Sequence, residues 1–165
     1  MEDAPESPAK FEFLAPYLND HWAGAAAGCR LAQRLAAKSR KTSWGGQLAE
    51  IFDQIEDDKR SLREIRAALD IHGGDLKRAI AVLMGLIIRL KTGFRGYTPL
   101  SRVDELEMLM AGVSSKRGLW VSLQSCAASR PMLQGFKLVE LEQRATQQIE
   151  SLRAIHAEAA KLAFS

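Results

Sequence analysis

The residue that raises the clearest chemical question is Asp58, because it interrupts an apolar seam. Six apolar residues recur at alternating steps of three and four positions, the spacing of one helix face; they are Leu48, Ile51, Ile55, Leu62, Ile65 and Leu69. The step from Ile55 to Leu62 passes through Asp58. An unpaired carboxylate is costly to remove from water, so Asp58 must be ion-paired, protonated or bound to a ligand.

Four further side chains could join Asp58 in a metal site. Glu107 and Glu142 lie on or beside predicted buried stripes, and His21 and His156 occupy similar positions. Carboxylates and imidazoles are ligands for iron and manganese. At about 1.5 Å per helical residue, Asp58 and Glu142 are expected at a similar height in the bundle, and His21 about 7 Å further along it. Glu107 and His156 are expected together at the opposite end of the bundle. Because the candidates divide into two groups, iron or manganese binding is the alternative hypothesis.

An ion pair is the favoured explanation of the buried acid. Lys116 and Arg117 fall where the apolar stripe of their predicted helix should continue. A cation entering the core there would satisfy Asp58 or Glu142 without a metal. We therefore expect a core ion pair drawn from these four residues, with no cofactor.

Other catalytic chemistries find no support in the sequence. There is no phosphate-binding glycine loop and no nucleophile elbow. Cys29 and Cys126 are about a hundred positions apart, which provides neither metal-ligand spacing nor a disulfide framework. A non-catalytic role follows as the expectation.

The elements that must position these residues are all predicted to be helical. The chain has 165 residues, of which 47% are hydrophobic, enough for one domain. After a disordered leader, residues 1–12, a single domain covers 13–165. Pro16 lies in the first turn of a helix ending near residue 40, and Thr42 or Ser43 caps a second helix ending at the glycines of 72–74. A short apolar helix follows within 75–90, Thr98 and Pro99 begin a fourth, and the last spans about 136–164.

Each long helix is predicted to bury one stripe. The first helix buries Leu18, Trp22, Ala25, Cys29, Ala32 and Leu35. The fourth buries Val103, Leu106, Met110, Val113, Trp120 and Leu123. The last buries Leu138, Leu141, Ala145, Ile149, Leu152, Ile155 and Leu162.

Two helical hairpins separated by some thirty residues resemble the ferritin-like four-helix bundle, whose long crossover joins its two pairs. The stretches 18–22 (LNDHW) and 97–102 (YTPLSR) are also similar to small bacterial members of that superfamily. The expected fold is therefore an all-α ferritin-like bundle with a short apolar crossover helix. The superfamily's Glu-x-x-His metal motif is missing, because Leu18, Leu69 and Arg153 stand three residues before the three histidines. Its di-iron chemistry is therefore not implied here.

The apolar crossover is the predicted interaction surface. Apolar residues surround it on every side and leave little polar face; those expected to contact a second copy are Ile80, Leu83, Met84, Ile87 and Ile88. A cytoplasmic homodimer is the resulting prediction, and no stretch approaches the length of a transmembrane helix. The net charge of +3 leaves binding to nucleic acid or an anionic membrane surface as a further alternative, although no aromatic stacking platform accompanies the basic residues.

Overall fold

A computed structural model describes residues 13–73 and 97–165. They form four α-helices: α1 (Leu14–Lys38), α2 (Gly45–Ala68), α3 (Pro99–Ala127) and α4 (Leu138–Phe164), with a short 3-10 helix, Pro131–Leu133, before α4. No strand occurs in these two ranges, which confirms the all-α prediction. The predicted leader, 1–12, and the predicted crossover with its five self-association residues lie outside the described residues.

The start of α3 follows its local sequence. Thr98 Oγ1 accepts a hydrogen bond from the backbone N–H of Ser101 at 3.1 Å, and the Ser101 hydroxyl accepts one from the backbone N–H of Thr98 at 3.4 Å. Pro99 occupies the first turn, where its missing N–H is not needed. This reciprocal cap confirms the predicted helix start.

The start of α2 differs from its prediction. The helix begins at Gly45, after Trp44, and no side chain caps it. Thr42 instead donates its hydroxyl to the backbone oxygen of Ser39 at 2.7 Å, closing the turn after α1. The predicted Thr42 or Ser43 cap is therefore wrong, because the hydroxyl of Thr42 is used in the turn.

The end of α2 also differs. Asp70, with φ of 55°, takes a left-handed conformation just after the helix, and Gly73, with φ of 82°, takes the left-handed conformation expected of a glycine in 72–74 only three residues later. The backbone N–H of Asp70 bonds to Ala67 and that of Ile71 bonds to Arg66 at 2.9 Å, so the last carbonyls are satisfied before Gly73. Aspartate enters this region more readily than most residues, which explains the earlier stop.

The core confirms the seam of α2, since all six of its apolar residues and Asp58 are buried. Five positions predicted to be buried in the other helices are not fully buried. Leu109 and Gln148 are buried, where Met110 and Ile149 were expected and are only half-buried. Leu162 is 66% exposed because it follows Ala159, the last buried residue of α4. In α1, Trp22 and Ala25 are half-buried at the edge of the core.

The helices pack so that each has two neighbours. α1 contacts α2 and α3, and α4 contacts α3 and α2, with the most extensive contact between α3 and α4. Side chains from three helices can therefore meet in the space between them, and they do so around Asp58.

Candidate functional site

The buried carboxylate of Asp58 receives cations from two other helices. Its side chain is completely shielded from solvent. Lys116 of α3 donates from Nζ to Oδ2, and Arg144 of α4 donates from Nη2 to Oδ1. Arg144 Nε donates a second bond to Oδ1 at 2.8 Å. Asp58, Lys116 and Arg144 thus tie α2, α3 and α4 together by charge-assisted hydrogen bonds.

Gln148 completes this cluster from α4. Its Nε2 donates to Asp58 Oδ2 at 3.2 Å and to Gln54 Oε1 at 3.1 Å, while its Oε1 accepts from Lys116 Nζ at 2.6 Å. Asp58 therefore accepts four hydrogen bonds, two on each oxygen. An ionised carboxylate has about four lone-pair positions, so a metal ion could bind Asp58 only by displacing one of these donors.

The cluster contains one negative and two positive side chains. Burial lowers the pKa of the Lys116 ammonium from its ordinary value, because low polarity disfavours the charged form, and the contact with Asp58 opposes that shift. Arg144 is about one-third exposed, so solvent partly hydrates its guanidinium. Asp58 and Lys116 are the deeply buried pair.

Glu142 has a separate basic partner. Arg117 Nε donates to Glu142 Oε1 at 2.6 Å, and Thr146 Oγ1 donates to the same oxygen at 3.2 Å. The bond from Arg117 is the main cause that lowers the pKa of Glu142. The Arg117 side chain is about half exposed, so this is a surface pair. The structure thus divides the four predicted ion-pair residues into a buried pair and a surface pair.

The remaining metal candidates lie in two places. His156 Nε2 is 3.0 Å from Glu107 Oε1 on the α3–α4 surface. His21 lies on α1 with its ring edge against Tyr17, the centroids 4.6 Å apart, and burial lowers its pKa. Within residues 13–73 and 97–165, no three His, Cys, Asp or Glu side chains come close enough together to hold a metal ion.

Three residues of the buried polar clusters were not predicted. Gln148 had a signal, since it lies three positions after Ala145 and four before Leu152 on a buried stripe. Arg144 had none, because its contact with Asp58 joins residues 86 positions apart. Burial raises the pKa of Glu105, whose Oε1 lies 2.8 Å from Nη2 of Arg34. The helical spacing of the sequence did not predict this contact either.

A cavity of about 470 Å³ lies beside the Asp58 cluster, between α1, α2 and α3. Gly24, Gly28 and Leu31 of α1 face Leu109, Gly112 and Val113 of α3 across it. Asp58 and Lys116 contribute to its wall, and Asp20, His21 and Lys59 also border it. The cavity therefore combines apolar walls with a small number of charged groups.

No protein-family model, curated protein or solved structure matches this chain. Among the helices of the two described ranges, none is long and apolar enough to cross a membrane. The features that bear on function are therefore the Asp58 cluster, the adjacent cavity and the apolar residues on the surface.

Proposed function

We propose that this chain is a non-catalytic helical bundle that serves as a structural and protein-interaction module, with a second copy of itself as its first partner. The observation that carries the non-catalytic part is the saturation of Asp58. Its four hydrogen bonds from Lys116, Arg144 and Gln148 leave no free acceptor for a metal or a substrate proton. Such a cluster fits a role in fixing the packing of three helices.

Exposed apolar side chains support the interaction part of the proposal. Among the described residues, seven large hydrophobic side chains are exposed, and six belong to α3, α4 or their connection; the six are Leu100, Val121, Met132, Val139, Leu162 and Phe164. Leu100, Leu162 and Phe164 stand at the start of α3 and the end of α4, whereas Val121, Met132 and Val139 stand near the connection between these helices. Exposed apolar side chains can contribute to contacts with another protein. The all-round apolar sequence of residues 80–88 supports the same role.

A ferritin-like order of helices is part of the proposal, and paired contacts support it. Tyr17 of α1 bonds to Ser122 of α3 at 3.2 Å, whereas Arg34 of α1 meets Glu105 of α3. The early residue of α1 contacts the late part of α3 and the late residue contacts the early part. This is the order expected of antiparallel neighbours. Arg117 with Glu142 and Glu107 with His156 support the same relationship between α3 and α4.

The positions of Gly73 and Tyr97, the described residues on either side of 74–96, also favour a ferritin-like topology. Arg66 donates to Asn19 near the start of α1 and to the backbone oxygen of Gly73. The Tyr97 ring lies 5.6 Å from the guanidinium of Arg34 and from Lys38 Nζ, near the end of α1. The connection therefore joins opposite ends of the bundle, as a ferritin-like crossover requires.

Light scattering coupled to size-exclusion chromatography tests self-association. At tens of micromolar we expect a mass near twice the chain mass of 18.2 kDa. Leu83→Glu probes the predicted crossover surface, and Leu162→Glu probes the exposed end of α4. Ala157→Glu is the matched control, because it adds the same charge at another exposed position of α4. A monomeric mass for the wild-type protein at every concentration would contradict the proposal.

Iron or manganese binding is the alternative, and the contact between Glu107 and His156 favours it. These two side chains put a carboxylate oxygen and an imidazole nitrogen 3.0 Å apart at a solvent-accessible position. Elemental analysis after anaerobic incubation with Fe(II) or Mn(II) and desalting tests it. Metal retained by the wild-type protein and lost in Glu107→Ala or Asp58→Ala would support this alternative against the structural role.

The basic-module alternative has less support. Arg34, one of the basic residues on α1, is bonded to the buried Glu105, so part of that charge is used within the bundle. Retention on heparin that falls steeply with salt would be the result expected of nucleic-acid binding.

A further inference from the structure

The cavity between α1, α2 and α3 has the size of a small-molecule site. Its volume of about 470 Å³ falls within the roughly 300–1,000 Å³ that such sites occupy. Glycines of α1 and α3 border it, and a Cβ added to Gly24, Gly28 or Gly112 would meet no atom within 4 Å. Leu31, Leu109 and other apolar side chains complete the walls.

Lys116 gives this apolar cavity a polar end with an unused donor. A lysine ammonium carries three N–H donors. Two are used, by Asp58 Oδ2 and Gln148 Oε1. Within the described ranges, the third has no acceptor, and Lys116 forms part of the cavity wall. The cavity therefore presents one cationic donor to an occupant that could accept from it.

The Asp58 cluster at one end of the cavity carries an excess of one positive charge, which comes from Arg144, a residue that does not itself border the cavity. Asp58 neutralises only one of Lys116 and Arg144. Lys59 and Asp20, which also border the cavity, offset each other in formal charge. His21 adds no charge near neutral pH, because burial lowers its pKa below the usual 6.5. The side chains that border the cavity balance in formal charge, so a monoanion complements the excess positive charge of the adjoining Asp58 cluster rather than that of the cavity wall.

We propose that the cavity binds an amphipathic monocarboxylate of the medium-chain fatty-acid class. The carboxylate would accept the third N–H of Lys116, and the alkyl chain would lie between Gly28 and Gly112. A small hydrophilic anion does not suit these apolar walls, because it would lose water without gaining enough hydrogen bonds. A wholly apolar molecule would leave the Lys116 donor unused. This proposal goes beyond the interaction role and does not depend on self-association.

The test uses decanoate and 1-decanol with the full chain in isothermal titration calorimetry. Gly112→Leu places a side chain in the cavity. Gly118→Leu is its matched control, because Gly118 is an exposed glycine of the same helix with equally open space but does not border the cavity. Lys116→Met removes the ammonium and leaves Asp58 bonded to Arg144. Circular dichroism and thermal unfolding verify that each variant is folded.

We expect decanoate to bind the wild-type protein at one per chain, about tenfold tighter than decanol. Gly112→Leu should weaken decanoate binding by roughly tenfold or more, while Gly118→Leu should leave it unchanged. Lys116→Met should abolish the preference for decanoate over decanol. The proposal would be overturned if decanoate did not bind, or if the two glycine substitutions had equal effects. It would also be overturned if the wild-type protein did not prefer decanoate over decanol, or if Lys116→Met kept that preference.

Discussion

Arg144 Nε lies 2.8 Å from Asp58 Oδ1, and this contact brings a second cation to a carboxylate that Lys116 already reaches from another helix. Each of the three charged side chains comes from a different helix, so the cluster depends on the relative positions of α2, α3 and α4. Its removal should affect the stability of the whole bundle.

Asp58→Ala should lower the free energy of unfolding by roughly 3–5 kcal/mol, because it leaves the buried Lys116 without its counter-charge. Urea denaturation followed by circular dichroism measures this change. Asp57→Ala is the matched control: Asp57 is the preceding residue, it is about half exposed, and its pair with Arg60 lies on the surface. We expect the control to change stability by at most about 1 kcal/mol. Equal losses in the two variants would contradict a core role for Asp58.

Gly45→Ala should be destabilising, whereas Gly46→Ala should not. A Cβ at Gly45 would overlap the backbone oxygen of Ser39 and lie 3.1 Å from Arg40 Cα, and neither backbone atom can move freely. We expect a loss of roughly 1–3 kcal/mol, as for other overpacked sites. Gly46 is exposed with no atom within 4 Å, so alanine there should add up to about 1 kcal/mol through helix propensity. Urea denaturation of both variants compares the neighbouring glycines directly.

His21 should make the protein less stable as the pH falls below 6.5, the usual pKa of a histidine side chain. Burial lowers the folded-state pKa of His21, with Asp20 acting in the opposite direction. The unfolded chain therefore binds a proton at a higher pH than the folded protein does, and the free energy of unfolding decreases as the pH falls through this window.

The measurement for His21 is a series of urea unfolding curves from about pH 7.5 to about pH 5. His21→Gln should lose less stability over this range than the wild-type protein, because the proton uptake specific to the unfolded imidazole is gone. Parallel pH profiles for the two proteins would show that burial of His21 has no such effect.

Cys29 should resist thiol reagents in the folded protein. Burial is the main cause that raises its pKa to about 12, so its thiolate fraction at about pH 8 is on the order of 10⁻⁴. Cys126 is only half-buried. With Ellman's reagent we expect one thiol to react in the native protein and the second only after unfolding.

Single substitutions assign the two thiols. Cys126→Ser should remove the native reaction, and Cys29→Ser should retain it. Rapid native labelling of the Cys126→Ser variant would mean that Cys29 is accessible to solvent, against the burial of its side chain.

The sequence alone was enough to predict the four helices of the described ranges, the seam of α2 and the burial of Asp58. Helix periodicity is a local property, so regular spacing identifies a buried face without knowledge of what covers it. The start of α3 was equally predictable, because Thr98, Pro99 and Ser101 act within a single turn.

Spacing was insufficient where two neighbouring residues fit one stripe. Steps of three and four both return to the same helix face, so Ala145 leads equally well to Gln148 or Ile149, and Leu106 to Leu109 or Met110. The rotation of each helix against its neighbours decides between them, and it buries Gln148 and Leu109. The sequence could not indicate that rotation.

The charge partners of Asp58 depended on tertiary structure for the same reason. The interruption of the α3 stripe at Lys116 could be read from the sequence, because it breaks a local period. The arrival of Arg144 and Gln148 from α4 could not, since it depends on the register between helices about 90 residues apart in the chain. The sequence thus determined that a carboxylate would be buried, and only the packing of α2 with α3 and α4 decided which donors surround it.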